Sequence, residues 1–354
     1  TGEASEATGD ATRWGPGTLR ASDDQGGAMT RLGYQMPNFT YEGVAPGDLF
    51  ATVAAQAREA DASGFDTVMV MDHFFQLPML GPPEREMLEC YSLLAALAQH
   101  TSSARLSALV TGNTYRNPAV LAKTVTTLDI VSGGRAQLGI GAGWFEQEHD
   151  AFGIEFGTFT DRFEKLEEAL QIILPMLRDE RPSFDGKHYT AKEAINRPAP
   201  LSKIPVMIGG SGEKKTLRLV AQYADESNLT APLDEVPRKM DALAAHCQRL
   251  GRDRGEITVS LQRMCCIAPT HEEAMADLVA FGRGLGMDLD TMDEATRDSV
   301  LAMFTLGTPD EVGEQLSAAL VPGIDGFTCA LPANGHVPGR VEMLGEVARR
   351  VVGI

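Results

Sequence analysis

The sequence predicts an α/β protein built as a (β/α)8 TIM barrel, with insertions after strands 4 and 7. Two observations lead to this fold class. Short apolar runs alternate with helical segments eight times along the chain. The apolar runs contain few polar residues, as in parallel strands that are buried on both faces. A doubly wound open sheet fits the same alternation and remains the alternative fold.

The predicted strands are apolar runs that end at Pro, Asn, Gly or a charged residue. The first closes at Pro37–Asn38, and the second ends in charge at Asp72–His73. In chain order, the eight predicted strands are residues 31–38, 65–73, 105–112, 135–143, 205–210, 226–230, 257–268 and 326–332.

The predicted helices follow from periodicity and from end signals. The helix that begins at Pro118 ends at Gly133–Gly134, the usual placement of proline and glycine. The helix from Phe159 to Leu177 carries apolar residues at alternating steps of 4 and 3. Further helices are predicted over residues 48–63, 87–100, 213–225, 234–250 and 338–354. The two insertions are residues 179–203, for which we expect a hairpin, and the helical segments within residues 271–320.

Residues 1–28 differ from the rest of the chain. They are rich in Gly, Ser, Thr and acidic residues and show no hydrophobic period. We expect a disordered N-terminal extension there, followed by a single barrel domain over residues 29–354.

The composition is that of an acidic globular chain. Its 354 residues include 49 Asp and Glu against 31 Lys and Arg, a formal net charge of −18. Nucleic acids and anionic membranes attract basic surfaces, so neither is an expected partner. No apolar run approaches the roughly 18 residues of a membrane helix. The five cysteines form no CxxC pair, which supports neither a disulfide framework nor a zinc site, and we expect a cytoplasmic protein.

Polar or glycine-rich residues follow five of the predicted strands directly. The carboxyl ends of barrel strands are where chemistry collects in this architecture, so these residues predict a site at the barrel mouth. In strand order they are Asn38; Asp72 and His73; Asn113, Tyr115 and Arg116; Trp144, Glu146, Glu148 and His149; and Gly209–Gly212.

Several of these residues admit both a functional and a structural interpretation. His73 is a candidate proton donor oriented by Asp72, or a hydrogen-bonded structural histidine. Trp144 either stacks on a ligand or packs in the core. Glu148 and its neighbours are expected in a solvated first helical turn, since acidic residues favour that position.

Two glycine-rich segments differ from the known nucleotide-binding motifs. Gly139–Gly143 lacks the third glycine of the dinucleotide fingerprint, and Gly209–Gly212 lacks the GK[ST] of a P-loop. The second segment follows a strand and precedes a helix, so its N–H groups could hold a phosphate; a tight turn is the alternative. No HExxH or similar spacing occurs, and we expect no metal.

Three segments together resemble one superfamily: GFDTVMVMDHFFQLP, the stretch from LVTGNTYRNP to GAGWFEQEHDAFGI, and PVMIGGSGEKKTLRLVAQYAD. They are similar to the luciferase-like (LLM class) flavin and deazaflavin oxidoreductases, most of all to the branch dependent on coenzyme F-420, an 8-hydroxy-5-deazaflavin. The resemblance implies an enzyme that transfers a hydride between coenzyme F-420 and a small organic substrate, and a homodimer, since relatives are commonly dimers.

The resemblance also implies roles for individual residues. His73 would face the coenzyme ring and the substrate, and Leu109–Val110 would be a non-proline cis peptide behind the ring. Trp144 stands where relatives that oxidise sugar phosphates carry a glutamate, which argues against that activity. The expected ring contacts are Leu109, Val110, Thr111 and Asn113; the phosphate contacts are Gly209, Gly210, Ser211 and Gly212; the substrate pocket comprises Asn38, Trp144 and Glu148.

Two other functions remain open. A luciferase-like monooxygenase would use FMN and oxygen in the same barrel, and oxygen consumption would separate it from a deazaflavin enzyme. A non-catalytic flavin- or deazaflavin-binding protein would bind the coenzyme without turnover.

Overall fold

The computed structural model describes residues 31–354, so the predicted extension at residues 1–28 lies outside the described residues. Parallel strands surrounded by helices make up the fold. In chain order the strands are β1 (Leu32–Met36), β2 (Thr67–Val70), β3 (Arg105–Ala108), β4 (Thr111–Gly112), β5 (Ala136–Gly141), β6 (Phe184–Asp185), β7 (Thr190–Ala191), β8 (Val206–Gly209), β9 (Glu226–Leu229), β10 (Thr258–Ile267), β11 (Phe304–Gly307) and β12 (Gly326–Ala330).

The helices cover the outer face of these strands. In chain order they are α1 (Leu49–Ala62), α2 (Cys90–Leu97), α3 (Pro118–Ser132), α4 (Glu146–Phe152), α5 (Phe159–Leu177), α6 (Thr216–Tyr223), α7 (Val236–Leu250), α8 (His271–Gly284), α9 (Glu294–Leu301), α10 (Pro309–Ala319) and α11 (Arg340–Val352).

Eight of the strands close into a barrel. The hydrogen-bonded order is β1-β2-β3-β5-β8-β9-β10-β12, and β12 pairs in parallel with β1, with Leu32 opposite Phe327. The (β/α)8 prediction is confirmed, and the open doubly wound sheet is excluded by this closing pair. All eight predicted strands are present.

Both insertions fall where the sequence predicts them. After the fourth barrel strand, the short strands β6 and β7 form an antiparallel hairpin between α5 and β8. After the seventh, α8, α9, β11 and α10 precede β12, and β11 pairs in parallel with the end of β10. The prediction of helices alone over residues 271–320 therefore missed the strand Phe304–Gly307.

Local signals explain where the helices begin and end. The side chain of Asn117 caps α3, which ends at Gly133 with φ +71°. A capping box between Thr158 and Asp161 starts α5. Helix α6 begins at Thr216, three residues later than predicted.

The apolar core lies between the barrel and its helices, whereas the upper barrel interior is polar and uncharged. The amide of Asn228 donates to the hydroxyls of Ser260 and Thr328 at 3.0 Å each. The Gln262 amide donates to Oε1 of Gln35 at 2.6 Å. These side chains form the floor of the barrel mouth. Within residues 31–354, no helix has the length and apolar character needed to cross a membrane.

Candidate active site

A cavity of about 290 Å³ opens at the carboxyl ends of the barrel strands. We call it the mouth cleft. Its apolar lining residues are Met71, Leu77, Leu109, Val110 and Trp144. Its other lining residues are Gln35, Asp72, His73, Thr111, Gly112, Tyr115, Gly143, Gly209, Gly210, Asn228, Thr230 and Gln262.

His73 is held in the mouth cleft by one buried carboxylate. Nδ1 of His73 lies 2.7 Å from Oε2 of Glu148, whose side chain is fully buried. The Tyr115 hydroxyl donates to the same oxygen at 2.5 Å. Oε1 of Glu148 accepts the backbone N–H groups of Phe74 and Phe75. Four donors therefore converge on one side chain.

These contacts fix the charge of Glu148 and the tautomer of His73. Burial raises the pKa of Glu148, but the hydrogen bonds from His73, Tyr115 and Phe74 outweigh it, and the pKa lies below its ordinary value. An ionised carboxylate only accepts, so Nδ1 of His73 carries the proton. In the uncharged form of this tautomer, Nε2 carries the lone pair, which suits it to accept a proton from a ligand.

Asp72 makes a different set of contacts. Its two oxygens pair with the guanidinium of Arg116 at 2.6 and 2.9 Å, and Oδ2 accepts the backbone N–H of Gly112. Arg116 also bonds to Glu89, the N-cap residue of α2. Burial raises the pKa of Asp72, although Arg116 opposes this. The carboxylate that orients His73 is thus Glu148 and not Asp72, because Arg116 already occupies Asp72.

One wall of the cleft is a backbone bulge packed against Gly139, Gly141 and Gly209, which we call the glycine bed. The Leu109–Val110 peptide bond is cis, as the resemblance implied. A Cβ on Gly139 would lie 2.0 Å from the carbonyl oxygen of Ala108, and Cβ atoms on Gly141 and Gly209 would lie 2.8 Å from the Val110 side chain. Side chains at these positions would overlap the bulge. The glycines of strand β5, tested above against a nucleotide motif, therefore make room for this wall.

The Gly209–Gly212 segment forms the rim beside the bulge. Gly210 has φ +115°, a conformation that other residues rarely adopt. Within the described part of the chain, no hydrogen bond is donated by the backbone N–H of Ser211 or Gly212. Lys239 donates to the Ser211 carbonyl at 3.2 Å, and its ammonium also pairs with Glu235 at 3.0 Å and with Glu213 at 3.8 Å. Free backbone N–H groups in such a turn suit an anion.

Trp144 stands at the open side of the cleft. Its side chain is 56% exposed, so the core-packing interpretation is wrong. The indole stacks on Phe145 with ring centroids 5.1 Å apart and meets the His73 ring edge-on at 5.9 Å. Phe152, also 56% exposed, packs on Phe74 in the same aromatic group.

Asn38, Asn113 and Glu148 are buried and do not line the cleft. The Asn38 side chain is buried and donates to the Pro332 carbonyl, so it ties β1 to the loop after β12 instead of facing a substrate. Asn113 is 1% exposed. Glu148 lies behind His73, and its predicted solvated position is wrong because four donors and α4 packing bury it.

The other predicted residues take different places: Arg116, Glu146 and His149 are outside the lining of the cleft, whereas Thr111, Ser211 and Gly212 lie at the cleft or its rim. Thr111 lines the cleft, with its hydroxyl bonded to the Tyr91 hydroxyl at 2.6 Å. His149 is a buried structural histidine, held by Phe145 and Thr114. Ser211 and Gly212 follow Gly210 directly at the rim.

Sequence reasoning missed the floor residues Gln35 and Gln262. Both are polar residues inside otherwise apolar strands, and that interruption was the available signal. It also missed the contact of Tyr115 with Glu148, which no local pattern encodes.

Two other features are not assigned to the site. A larger cavity of about 820 Å³ between α8 and the loop after β1 shares no lining residue with the mouth cleft and contains none of the predicted site residues. Asp161, Glu164 and His188 lie close together on the surface, but the Lys187 ammonium already pairs with both carboxylates, at 3.6 and 2.7 Å.

Known proteins are similar to most of the chain. The family described as luciferase-like monooxygenase matches residues 30–326. An F-420-dependent glucose-6-phosphate dehydrogenase of Microbacterium testaceum is 29% identical over 61% of this chain and 64% of its own length. Further dehydrogenases of that name are matched over about half of their length.

Two other proteins are similar over nearly their whole length. A 5,10-methylenetetrahydromethanopterin reductase of Methanolobus tindarius is 26% identical, over 85% of this chain and 96% of its own. The solved structure of an F-420-dependent secondary alcohol dehydrogenase, in complex with an F-420–acetone adduct, superposes with a TM-score of 0.74. That match covers 92% of this chain and 99% of the dehydrogenase at 20% identity, and it shows the shared fold.

Proposed function

The chain belongs to the luciferase-like monooxygenase family, and from that membership we propose that it is an oxidoreductase that transfers a hydride between coenzyme F-420 and a small organic substrate. The observation that carries the proposal is the mouth cleft itself. There, a histidine that donates from Nδ1 to Glu148 stands beside a backbone bulge packed against glycines and a rim with free backbone N–H groups. The relatives named for coenzyme F-420 support the choice of coenzyme.

The residues of the cleft fit such a coenzyme. The Leu109–Val110 bulge offers a flat apolar wall for a ring system, with Thr111 beside it. The free N–H groups of Ser211 and Gly212 would hold its phosphate. When bound, the deazaflavin supplies the hydride acceptor or donor.

The protein's own contribution is proton transfer and orientation. Glu148 holds the proton of His73 on Nδ1, so Nε2 takes a proton from a substrate hydroxyl during oxidation and returns it during reduction. The ionised Glu148 stabilises the imidazolium that forms in between, as an acceptor of a charge-assisted hydrogen bond. The uncharged floor of Gln35 and Gln262 leaves this transfer without a competing base below it.

Parallel titrations with coenzyme F-420 and with FMN, followed by fluorescence, test the coenzyme. We expect saturable micromolar binding of the deazaflavin and none of FMN. Binding of FMN alone would overturn the choice of coenzyme, and binding of neither would overturn the proposed function.

A variant at the proposed base tests the residue assignment. We expect His73→Ala to bind coenzyme F-420 as the wild type does and to lose turnover by about 10²–10⁴-fold, the usual contribution of general acid–base catalysis. Full turnover by this variant would remove His73 from the mechanism.

The description of the family as monooxygenases favours one second candidate, an FMN-dependent monooxygenase that uses oxygen. In that case the purified protein with reduced FMN would consume oxygen in proportion to substrate. The deazaflavin enzyme would consume none.

We also propose a cytoplasmic homodimer without nucleic-acid partners. All five cysteines are free and buried, which suits a reducing compartment, and the net charge of −18 opposes binding to a polyanion. The apolar residues Val120 and Val131 are exposed on α3 and offer a contact face. Sedimentation equilibrium of the wild type and of Val120→Arg tests the dimer.

A further inference from the structure

We propose that the larger cavity beside α8 is a second binding site, separate from the mouth cleft, and that its ligand is an aromatic carboxylate. We call it the α8 cavity. Its volume is about 820 Å³, and its lining includes Tyr41, Arg85, Asp277, Phe281, Arg283 and His336. Three observations carry the proposal: a guanidinium without a carboxylate partner, a stacked pair of rings, and the balance of charge around them.

The Arg85 guanidinium is the group that would bind the carboxylate. Its Nη1 donates to the Leu80 carbonyl at 3.2 Å, and its Nη2 donates to the Gly284 carbonyl. Both acceptors are uncharged, and within residues 31–354 the guanidinium forms no ion pair with a carboxylate. A guanidinium has more N–H donors than these bonds use, and its planar fork matches the two oxygens of a carboxylate. Arg85 therefore offers an unpaired positive charge to a ligand.

Two glycines make room for the Arg85 side chain. A Cβ on Gly81 would lie 2.5 Å from Cδ of Arg85, and a Cβ on Gly284 would lie 3.3 Å from its Nη2. Gly81 also has φ +142°, a conformation that other residues rarely adopt. Arg85 thus bridges the loop after β2 and the end of α8 in a defined position. A side chain that is already ordered loses little further freedom when an anion binds to it.

Tyr41 and His336 supply a stacked pair of rings in the same cavity. Their ring centroids are 5.0 Å apart, with 24° between the ring planes. The Tyr41 hydroxyl donates to the Asn38 carbonyl at 2.7 Å, which fixes its ring. Burial lowers the pKa of His336, so its ring is uncharged at neutral pH, and its Nδ1 is buried without a hydrogen-bond partner in the described part of the chain. Together with Phe281, these rings form a surface suited to an aromatic body.

The other charges of the α8 cavity favour a monoanion over a dianion. Arg283 lines the cavity, but its guanidinium already pairs with Asp290 at 2.6 Å. Two carboxylates, Asp277 and Glu42, lie in the same lining. They would repel a second negative charge on the ligand, which a phosphate carries and a carboxylate does not. One carboxylate group facing Arg85 satisfies the guanidinium without this cost.

The α8 cavity is separated from the mouth cleft by apolar side chains. Phe281 lines the α8 cavity and packs against a buried cluster that includes Met71 and Leu77, and those two residues line the mouth cleft. No described residue lines both cavities. The proposal is therefore independent of the coenzyme, and its test needs none.

Three probes with the same ring system test the ligand class. They are 2-naphthoate, the uncharged 2-naphthamide and the dianionic 2-naphthyl phosphate, titrated into the full chain by calorimetry at pH 8. We expect saturable binding of 2-naphthoate, at least tenfold tighter than that of either other probe. Equal or tighter binding of the amide or of the phosphate would overturn the proposal, as would the absence of 2-naphthoate binding.

Variants locate the bound probe. We expect Arg85→Met to weaken 2-naphthoate binding at least tenfold. Because Arg85 also ties the loop after β2 to α8, a second variant leaves it in place: Ala280→Trp fills the α8 cavity from an exposed position on α8 and should weaken binding as strongly. Arg297→Met, an exposed change on α9 outside the cavity, is the matched control and should bind as the wild type does. Unchanged binding in Arg85→Met or in Ala280→Trp would place the probe elsewhere and refute the site.

Discussion

Replacing Glu148 by glutamine exchanges one carboxylate oxygen for an NH2 group in the buried contact behind His73. The carboxylate accepts from four donors: the backbone N–H groups of Phe74 and Phe75, the Tyr115 hydroxyl and Nδ1 of His73. A glutamine amide has one oxygen and one NH2 group, so it can accept only on one side. If its oxygen serves the backbone, its NH2 group faces His73. The ring must then accept at Nδ1, and its proton moves to Nε2, the nitrogen that should act as the base.

The size of the effect follows from the interactions lost. A hydrogen bond to a charged group contributes about 1.5–3 kcal/mol, and the ionised partner that stabilises the imidazolium is lost with it. A loss of about 3 kcal/mol in the transition state corresponds to about a 10²-fold lower kcat. Binding of coenzyme F-420 should not change, because Glu148 does not line the cleft.

Two measurements check this expectation. Nitrogen-15 chemical shifts of the imidazole report which ring nitrogen is protonated, and His73→Gln assigns the resonance. We expect protonation at Nδ1 in the wild type and at Nε2 in Glu148→Gln, with kcat reduced about 10²-fold. Glu146→Gln, an exposed change on the same helix, is the control. The reasoning is refuted if Glu148→Gln keeps the wild-type tautomer and turns over within twofold of the wild type.

Three further predictions concern the scaffold. Gly139→Ala should lose coenzyme binding and lower the free energy of unfolding in urea by more than about 3 kcal/mol, because its Cβ would lie 2.0 Å from the Ala108 oxygen. The control Gly47→Ala, whose Cβ would have no atom within 4 Å, should leave the free energy of unfolding almost unchanged, and equal stabilities of the two variants would contradict the role of the glycine bed. Burial raises the pKa of Asp61, but hydrogen bonds from residues 102–104 outweigh it and hold this pKa well below its usual 3.8. The carboxylate therefore contributes about 1–2 kcal/mol to the free energy of unfolding above pH 4, and this contribution is lost as the pH falls further. The difference in unfolding free energy between the wild type and Asp61→Ala should shrink from pH 5 to pH 3, and a difference that grows would contradict the prediction. Burial raises the pKa of the Cys90 and Cys266 thiols, and all five cysteines are buried. A disulfide reagent at pH 8 should therefore label no cysteine in the native protein and five after unfolding, and rapid labelling of the native protein would contradict this prediction.

The barrel strands were predictable because their signal is local. Each is an apolar run that ends at a turn residue, and a parallel strand buried on both faces has no other pattern. The strand Phe304–Gly307 lacks that signal, because it is four residues long and alternates between half-buried and buried positions. It exists only because the end of β10 offers an unpaired edge, a feature that no window of sequence contains.

The site was predictable in place but not in its partners. The residues after strands 2, 3, 4 and 5 do meet at one cleft, since parallel strands bring their carboxyl ends together. Which carboxylate orients His73 is decided 75 residues away along the chain, by Arg116 occupying Asp72 and leaving Glu148 for the ring. Asp72 was the predicted partner of His73 because the two residues are adjacent in the sequence. The burial of Glu148 behind His73 depends on the tertiary fold.

The mouth of the barrel has one part, around the glycine bed, where substitutions are not tolerated, and another part where they are. Gly139, Gly141 and Gly209 belong to barrel strands, and a Cβ at any of them would overlap the Ala108 carbonyl or the Val110 side chain, so a substitution there displaces this wall of the cleft. Trp144 lies just beyond the end of β5, with its side chain largely in solvent. A mutagenesis library that holds the three glycines constant and randomises residue 144 with its loop neighbours would thus explore substrate preference while most of its members still fold and load coenzyme.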